Sequence, residues 1–403
     1  MTSPPIQSEN APASLRGYTC GLAGFAILLF ASTWKLWTPQ NIFPQIPFLA
    51  SLITTPTWVD WLCLGLSLAA LVVCLLAKEG RTLTGGLFLF AASTTVLILL
   101  DQHRLQPWAY QMVIIAIIIS TSGKSNAIRR IQIITVSIYI FSGVSKLDYQ
   151  FVHTVGDQML SALVGLLGLT TENWPTQAKN IAVLCLPFTE ILIGIGLLIP
   201  KTRSLAMAGA VTMHAALILL LFKNVSGSSV LIWNLFFIFQ IIWIFYRQPK
   251  SIPQATQRPP LTDSLGYLIT LGVVVFPLTQ PWGICDHWPA WQVYAPRCSR
   301  AKLDSPLDDN ELWSNFEKWS NQTLAVPVYP QARFEFAVAV AAQQKFNRSR
   351  GLPIEVSEAS NRWNGTRVSK RIAGDQIKMQ MRQYWLNTRA RETWTETTEE
   401  TPD

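Results

Sequence analysis

Residues 179–222 read KNIAVLCLPFTEILIGIGLLIPKTRSLAMAGAVTMHAALILLLF. Two apolar runs, 179–200 and 204–222, flank the short basic break Lys201-Thr202-Arg203. At about 1.5 Å of rise per residue, each run is long enough to cross about 30 Å of hydrocarbon as a helix. A soluble core helix of this length would carry a polar face, and these carry almost none. Their few ionisable groups, Glu190 near the middle of the first and His214 near the middle of the second, therefore stand out. Two adjacent spans joined by a basic turn make this a helical membrane bundle.

Seven further apolar stretches lie outward from this pair, at about 17–37, 58–77, 83–101, 108–122, 131–146, 229–246 and 263–281. The fold class predicted is an all-α polytopic membrane bundle of about nine transmembrane helices with a small C-terminal α+β extracytoplasmic domain. The fourth, fifth and eighth stretches are short for a span. The polar first 16 residues and the length of the first run argue against a cleaved leader.

Composition divides the chain the same way. Half of the 403 residues are hydrophobic and 14% are charged, against about a quarter in soluble domains. Residues 283–403 hold 16 Lys+Arg and 15 Asp+Glu, more than half of all the charges. The expected organisation is a cytoplasmic tail (1–16), a membrane bundle (17–282), an outer module (283–390) and an acidic disordered tail (391–403). The net charge of +8 does not point to nucleic acid, because basic cytoplasmic loops are usual in multispanning proteins. The partners expected are the lipid bilayer and, for the outer module, an extracytoplasmic protein or peptide.

Lys and Arg also give the orientation. Loops of one side hold Arg16, Lys78, Arg81, Lys124, Arg129, Arg130, Lys201, Arg203, Arg247, Lys250 and Arg258; the other side holds Lys35, Arg104, Lys146, Lys179 and Lys223. Eleven against five makes the first side cytoplasmic, with the N-terminus inside and the charged module outside. Cys285 and Cys298 flank CDHWPAWQVYAPRC on that outer side, where a disulfide is the expected state. In the outer module, 330–346 predicts a helix, 352–359 a strand, 362–372 an Asn-Gly hairpin and 374–387 a second helix.

Ionisable groups within spans are costly and by default mark function. Those singled out are Glu190, His214, Lys146 with Asp148 at the end of the fifth span, and Asp101, His103 and Arg104 at the end of the third. Taken singly, each also fits a bland role, as a snorkelling Lys or an interhelical hydrogen bond.

The segments LDQHRLQPWAY (100–110), YIFSGVSKLD (139–148) and 186–222 resemble consecutive parts of the HTTM family, which includes the vitamin K-dependent gamma-carboxylases. The Gly143-x-x-Lys146-Leu147 and Leu186-Pro187-x-x-Glu190 patterns also resemble DoxX/MauE redox-associated membrane proteins. The HTTM resemblance implies that Lys146 is the base of a quinol-linked proton abstraction, with His214 and Asp101 beside it. It further implies that Tyr110, Glu190 and Trp108 contact a quinol (vitamin K-like) cofactor. Trp108 stands where the family carries a His, and Phe151 where it carries a Trp. The DoxX/MauE resemblance implies instead a non-catalytic subunit supporting a redox partner. No internal repeat favours a transporter. One cavity open to the outer leaflet is expected to hold Asp101, Tyr110, Lys146 and His214.

Overall fold

A computed structural model describes residues 15–224, 228–246, 261–303, 311–345 and 352–395. The tail before residue 15, most of the basic loop 247–262 and the acidic end from 396 lie outside the described residues.

The helices of the front part are α1 (Leu15–Ser32), α2 (Trp58–Leu76), α3 (Arg81–Leu100), α4 (Pro107–Thr121), α5 (Lys124–Ser145), the short α6 (Tyr149–His153), α7 (Val155–Gly165), α8 (Thr176–Leu198), α9 (Arg203–Asn224), α10 (Ser228–Ile241) and α11 (Leu261–Val275). Among the described residues, eight helical segments are long and apolar enough to cross a membrane, and α4 is a shorter apolar helix. A π-turn at Ile242–Tyr246 lengthens α10, and a 3-10 stretch at Phe276–Trp282 lengthens α11. The fifth span is longer than its apolar stretch implies, because the polar run 124–130 joins the helix.

Side chains such as Leu62, Ile181, Phe188, Leu192, Leu205 and Leu268 point outward from these helices, the surface that lipid covers. Trp34, Trp58, Trp61 and Trp282 are exposed near helix ends, as interfacial aromatics are.

Local chemistry sets the helix ends. Pro107 occupies the first turn of α4, where its missing N–H costs nothing. Asp148 accepts from the Phe151 N–H at 3.0 Å and so starts α6. Pro187 lies inside α8, where its ring removes one helical donor. Beside it Gly143 lets α5 approach α8: a Cβ there would meet the Pro187 carbonyl at 2.7 Å and Ile191 at 2.6 Å. Gly194 makes the next contact, against Tyr139 and Ile140. Small residues at a membrane helix interface act in this way.

The outer module comprises β1 (Arg300–Leu303), α12 (Glu311–Lys318), α13 (Ala332–Lys345), β2 (Ile354–Ser357), β3 (Ser369–Ile372), α14 (Asp375–Gln383) and α15 (Glu392–Thr395). The strands form an antiparallel sheet in the order β1-β2-β3, with Leu303 opposite Ile354 and Ile354 opposite Ile372. Gly365 turns with φ +71°, as the Asn-Gly signal predicts, but 362–363 are turn rather than strand, and β3 pairs with β2.

Phe336, Ala339 and Val340 of α13 pack on the sheet, while Phe334, Ala337 and Val338 join the core that continues into the bundle. Bundle and module thus share one core, a continuity that the composition boundary at 283 hides.

Two further expectations are corrected. Cys285 and Cys298 are buried free thiols, not a bridged pair. The tail does not begin at 391, because the Arg391 side chain is fully buried and the next residues form α15. Asp60, at the start of α2, holds Arg104 at 2.6 Å through one oxygen and Arg391 at 2.8 Å through the other. Arg391 also donates to Gln45 Oε1 and the Thr55 carbonyl, so the segment before α15 is clamped to the loop between α1 and α2.

Candidate functional site

Lys146 closes α5 at its C-terminal end, four residues after Ser142 and seven after Tyr139, so the three share a helix face. Its ammonium donates to both oxygens of Glu190, each at 2.8 Å, and to Ser142 Oγ at 2.7 Å. The Lys146 side chain is 5% exposed and that of Glu190 14%. Such an ion pair is held only where the geometry satisfies both partners, because each charge loses its water. The approach of α8 to α5 at Gly143 makes that geometry possible.

Below the pair, His214 of α9 bridges α5 and α10. Its Nδ1 lies 2.7 Å from Asn234 Oδ1, and its Nε2 lies 2.6 Å from the Tyr139 hydroxyl. Because the Asn234 amide nitrogen donates to the Val230 carbonyl at 2.8 Å, Oδ1 is the acceptor and His214 carries its proton on Nδ1. Nε2 then accepts from Tyr139. The ring stacks on Phe237 at 4.8 Å.

These groups line one cavity of about 70 Å³, completed by Met159, Met213, Leu217, Trp233 and Tyr294. Of the residues predicted, Lys146, Glu190 and His214 come together here. Asp101, Tyr110 and Trp108 do not line it. The Asp101 carboxylate accepts from the backbone N–H groups of His103 at 3.1 Å and Ile46 at 3.4 Å. Burial pushes Asp101 up to about 6, with Arg104 opposing. Tyr110 packs on Trp291 at 5.2 Å. Trp108 packs edge-on to Trp37 and Phe30. Arg203 turns to the Leu197 carbonyl at 3.1 Å.

Trp108 does line a neighbouring cavity of about 220 Å³ between the bundle and the outer module, with Gln106, Trp233, Gln292, Tyr294 and Arg300. A third cavity of about 320 Å³ runs along α7 and α9, lined by Val155, Met159, Leu217, Leu220, Leu221 and Tyr294.

Sequence reasoning misses Tyr139, Ser142, Asn234 and Tyr294. The first two were legible as the helical face of Lys146, and Asn234 as a polar group within a span. Tyr294 carried no signal, since only the folded loop brings it inward.

The small cavity has a polar end, formed by Lys146, Glu190 and His214, and apolar walls beyond it. Among the described residues, no three His, Cys, Asp or Glu side chains gather as metal ligands. Comparison with protein-family models, curated proteins and solved structures returned no match.

Proposed function

We propose that the chain is an integral membrane protein of HTTM type, with nine spans and an extracytoplasmic C-terminal module, that binds a quinol-like cofactor and takes a proton from it. The observation that carries this reading is the Lys146–Glu190 pair, bonded at 2.8 Å in the same cavity as His214. A cofactor of this class supplies an ionisable hydroxyl and arrives through the lipid.

The residues divide the work as follows. Every proton of the Lys146 ammonium is directed at Ser142 or Glu190, so the group free to accept a proton is the Glu190 carboxylate. Glu190 takes the proton on one carboxylate oxygen, and Lys146 keeps its charge to balance the negative charge left beside it. The base is then the pair rather than the amine alone. His214 donates from Nδ1 to Asn234, which leaves Nε2 unprotonated to accept from the Tyr139 hydroxyl and orient it at the cavity wall. Orientation of the whole rests on the eleven-to-five distribution of Lys and Arg.

The second reading is a non-catalytic DoxX/MauE-type subunit, in which the same pair is an interhelical lock. Purification in mild detergent followed by lipid extraction separates the two. The first reading expects close to one quinone per chain, lost in Lys146→Ala while the variant remains folded. A folded wild type without quinone favours the second.

A further inference from the structure

Tyr294 is the one described residue that lines all three cavities. Its backbone has φ +60°, the left-handed region that a bulky residue rarely adopts, and Trp291 three residues earlier has φ +59°. Strain of this kind persists only where the surroundings over-determine it. Here they do: His287 Nδ1 and Gln292 Oε1 lie 2.8 Å apart, Gln292 donates to Gln280 Oε1 at 2.6 Å, and the Trp291 side chain is fully buried. The stitched loop fixes Tyr294 at the junction of the three cavities. Yet the phenol, 42% exposed, makes no hydrogen bond to any described residue. A ring held by a loop fixed in this way can act by its bulk.

The cavities it borders have different walls. The 220 Å³ cavity has Arg300, an exposed side chain of β1, in its wall and so lies against the water-facing module. The 320 Å³ cavity runs along α7 and α9 and also takes Asn321 and Pro327 of the C-terminal module into its wall. The Lys146–Glu190 pocket meets the first across Trp233, Val293 and Tyr294.

We infer that Tyr294 is a gate: its ring closes the Lys146–Glu190 pocket against the water-side cavity. Keeping bulk water from the ion pair preserves the low dielectric in which proton transfer at Glu190 is strongly steered. That purpose rests on the proposed function; the gate itself rests on the cavities alone.

Access can be measured with no cofactor, so the gate and the proposed function can fail separately. A cysteine at Met213, which lines only the Lys146 pocket, reports entry. In detergent-solubilised Met213→Cys protein with Cys20 and Cys185 changed to Ser, the probe is a cationic methanethiosulfonate reagent, which does not partition into apolar surroundings. Tyr294→Gly removes the ring and also relieves the left-handed strain, so it should fold at least as well as the parent. The expected result is labelling about tenfold faster in Tyr294→Gly, and unchanged in Tyr294→Phe, which keeps the ring. Equal rates in all three proteins, or a Phe variant as fast as the Gly variant, would overturn the gate.

Discussion

The Lys146 ammonium of α5 and the Glu190 carboxylate of α8 face each other with both oxygens at 2.8 Å from Nζ, across a helix crossing that Gly143 keeps close. Everything proposed for the site follows from that contact. Two helices bring opposite charges together where water is scarce, and each charge makes the other tolerable. Glu190→Gln should therefore destabilise the protein by about 3–5 kcal/mol, because it strands a buried ammonium. Replacing both partners, Lys146→Met with Glu190→Leu, should recover most of the loss. Thermal unfolding in detergent gives the comparison, and a double variant no more stable than Glu190→Gln would show that the pair is not coupled.

The glycine contact makes its own prediction. Gly143→Ala places a methyl 2.7 Å from the Pro187 carbonyl and should cost about 1–3 kcal/mol by overpacking. Gly65→Ala in α2, where nothing lies within 4 Å, is the control and should be neutral or slightly stabilising. Unfolding midpoints of the two variants settle the point, and equal midpoints would deny the close approach of α5 and α8.

At the start of α2, one carboxylate serves two guanidinium groups. Asp60→Asn should leave Arg104 and Arg391 buried without a counter-charge and cost on the order of 3–5 kcal/mol. Because Arg391 ties down the chain end, the same variant should free residues 385–395 to proteolysis before the rest of the module. A cleavage pattern like that of the wild type would show that the clamp is held by other contacts.

The outer module should also respond to pH. Burial raises the Glu335 carboxyl to about 8, with its hydrogen bond from the Ala301 N–H and the charge of Arg300 working in the opposite direction. An acid with a folded pKa above its unfolded value binds its proton more tightly when folded. Its contribution is present in full below about 4.5 and is lost as pH rises through 8. Unfolding midpoints measured from pH 5 to 9 should fall in the wild type and fall less in Glu335→Gln. Parallel curves would place the pH dependence elsewhere.

Orientation has a direct test. Alkaline phosphatase fused at residue 283 should be active and a fluorescent protein dark, as the Lys and Arg asymmetry predicts. The reverse pair of results would turn the bundle over and put Lys146 on the cytoplasmic side.

The spans were legible because hydrocarbon demands long apolar runs; eight segments meet that demand, six of them close to their predicted bounds, while the first ends earlier and the fifth begins earlier than predicted. Lys146, Glu190 and His214 were legible because ionisable groups are costly in such runs. Asp101 stood out for the same reason, and its carboxylate caps the following turn outside the Lys146 cavity. Tyr294 and Arg391 were illegible. One depends on a strained loop and the other on a contact across 331 residues to Asp60, and neither leaves a local pattern.

The central claim is that the Lys146–Glu190 pocket binds a quinol-like head. Titration of a short-chain ubiquinone into the purified protein, followed by tryptophan fluorescence from the Trp233 wall, tests it most directly. The account predicts saturable quenching in the wild type. It also predicts binding at least about tenfold weaker, or about 1.4 kcal/mol, in folded Glu190→Gln and Lys146→Arg. Quenching that is absent in the wild type, or identical in all three proteins, would contradict it.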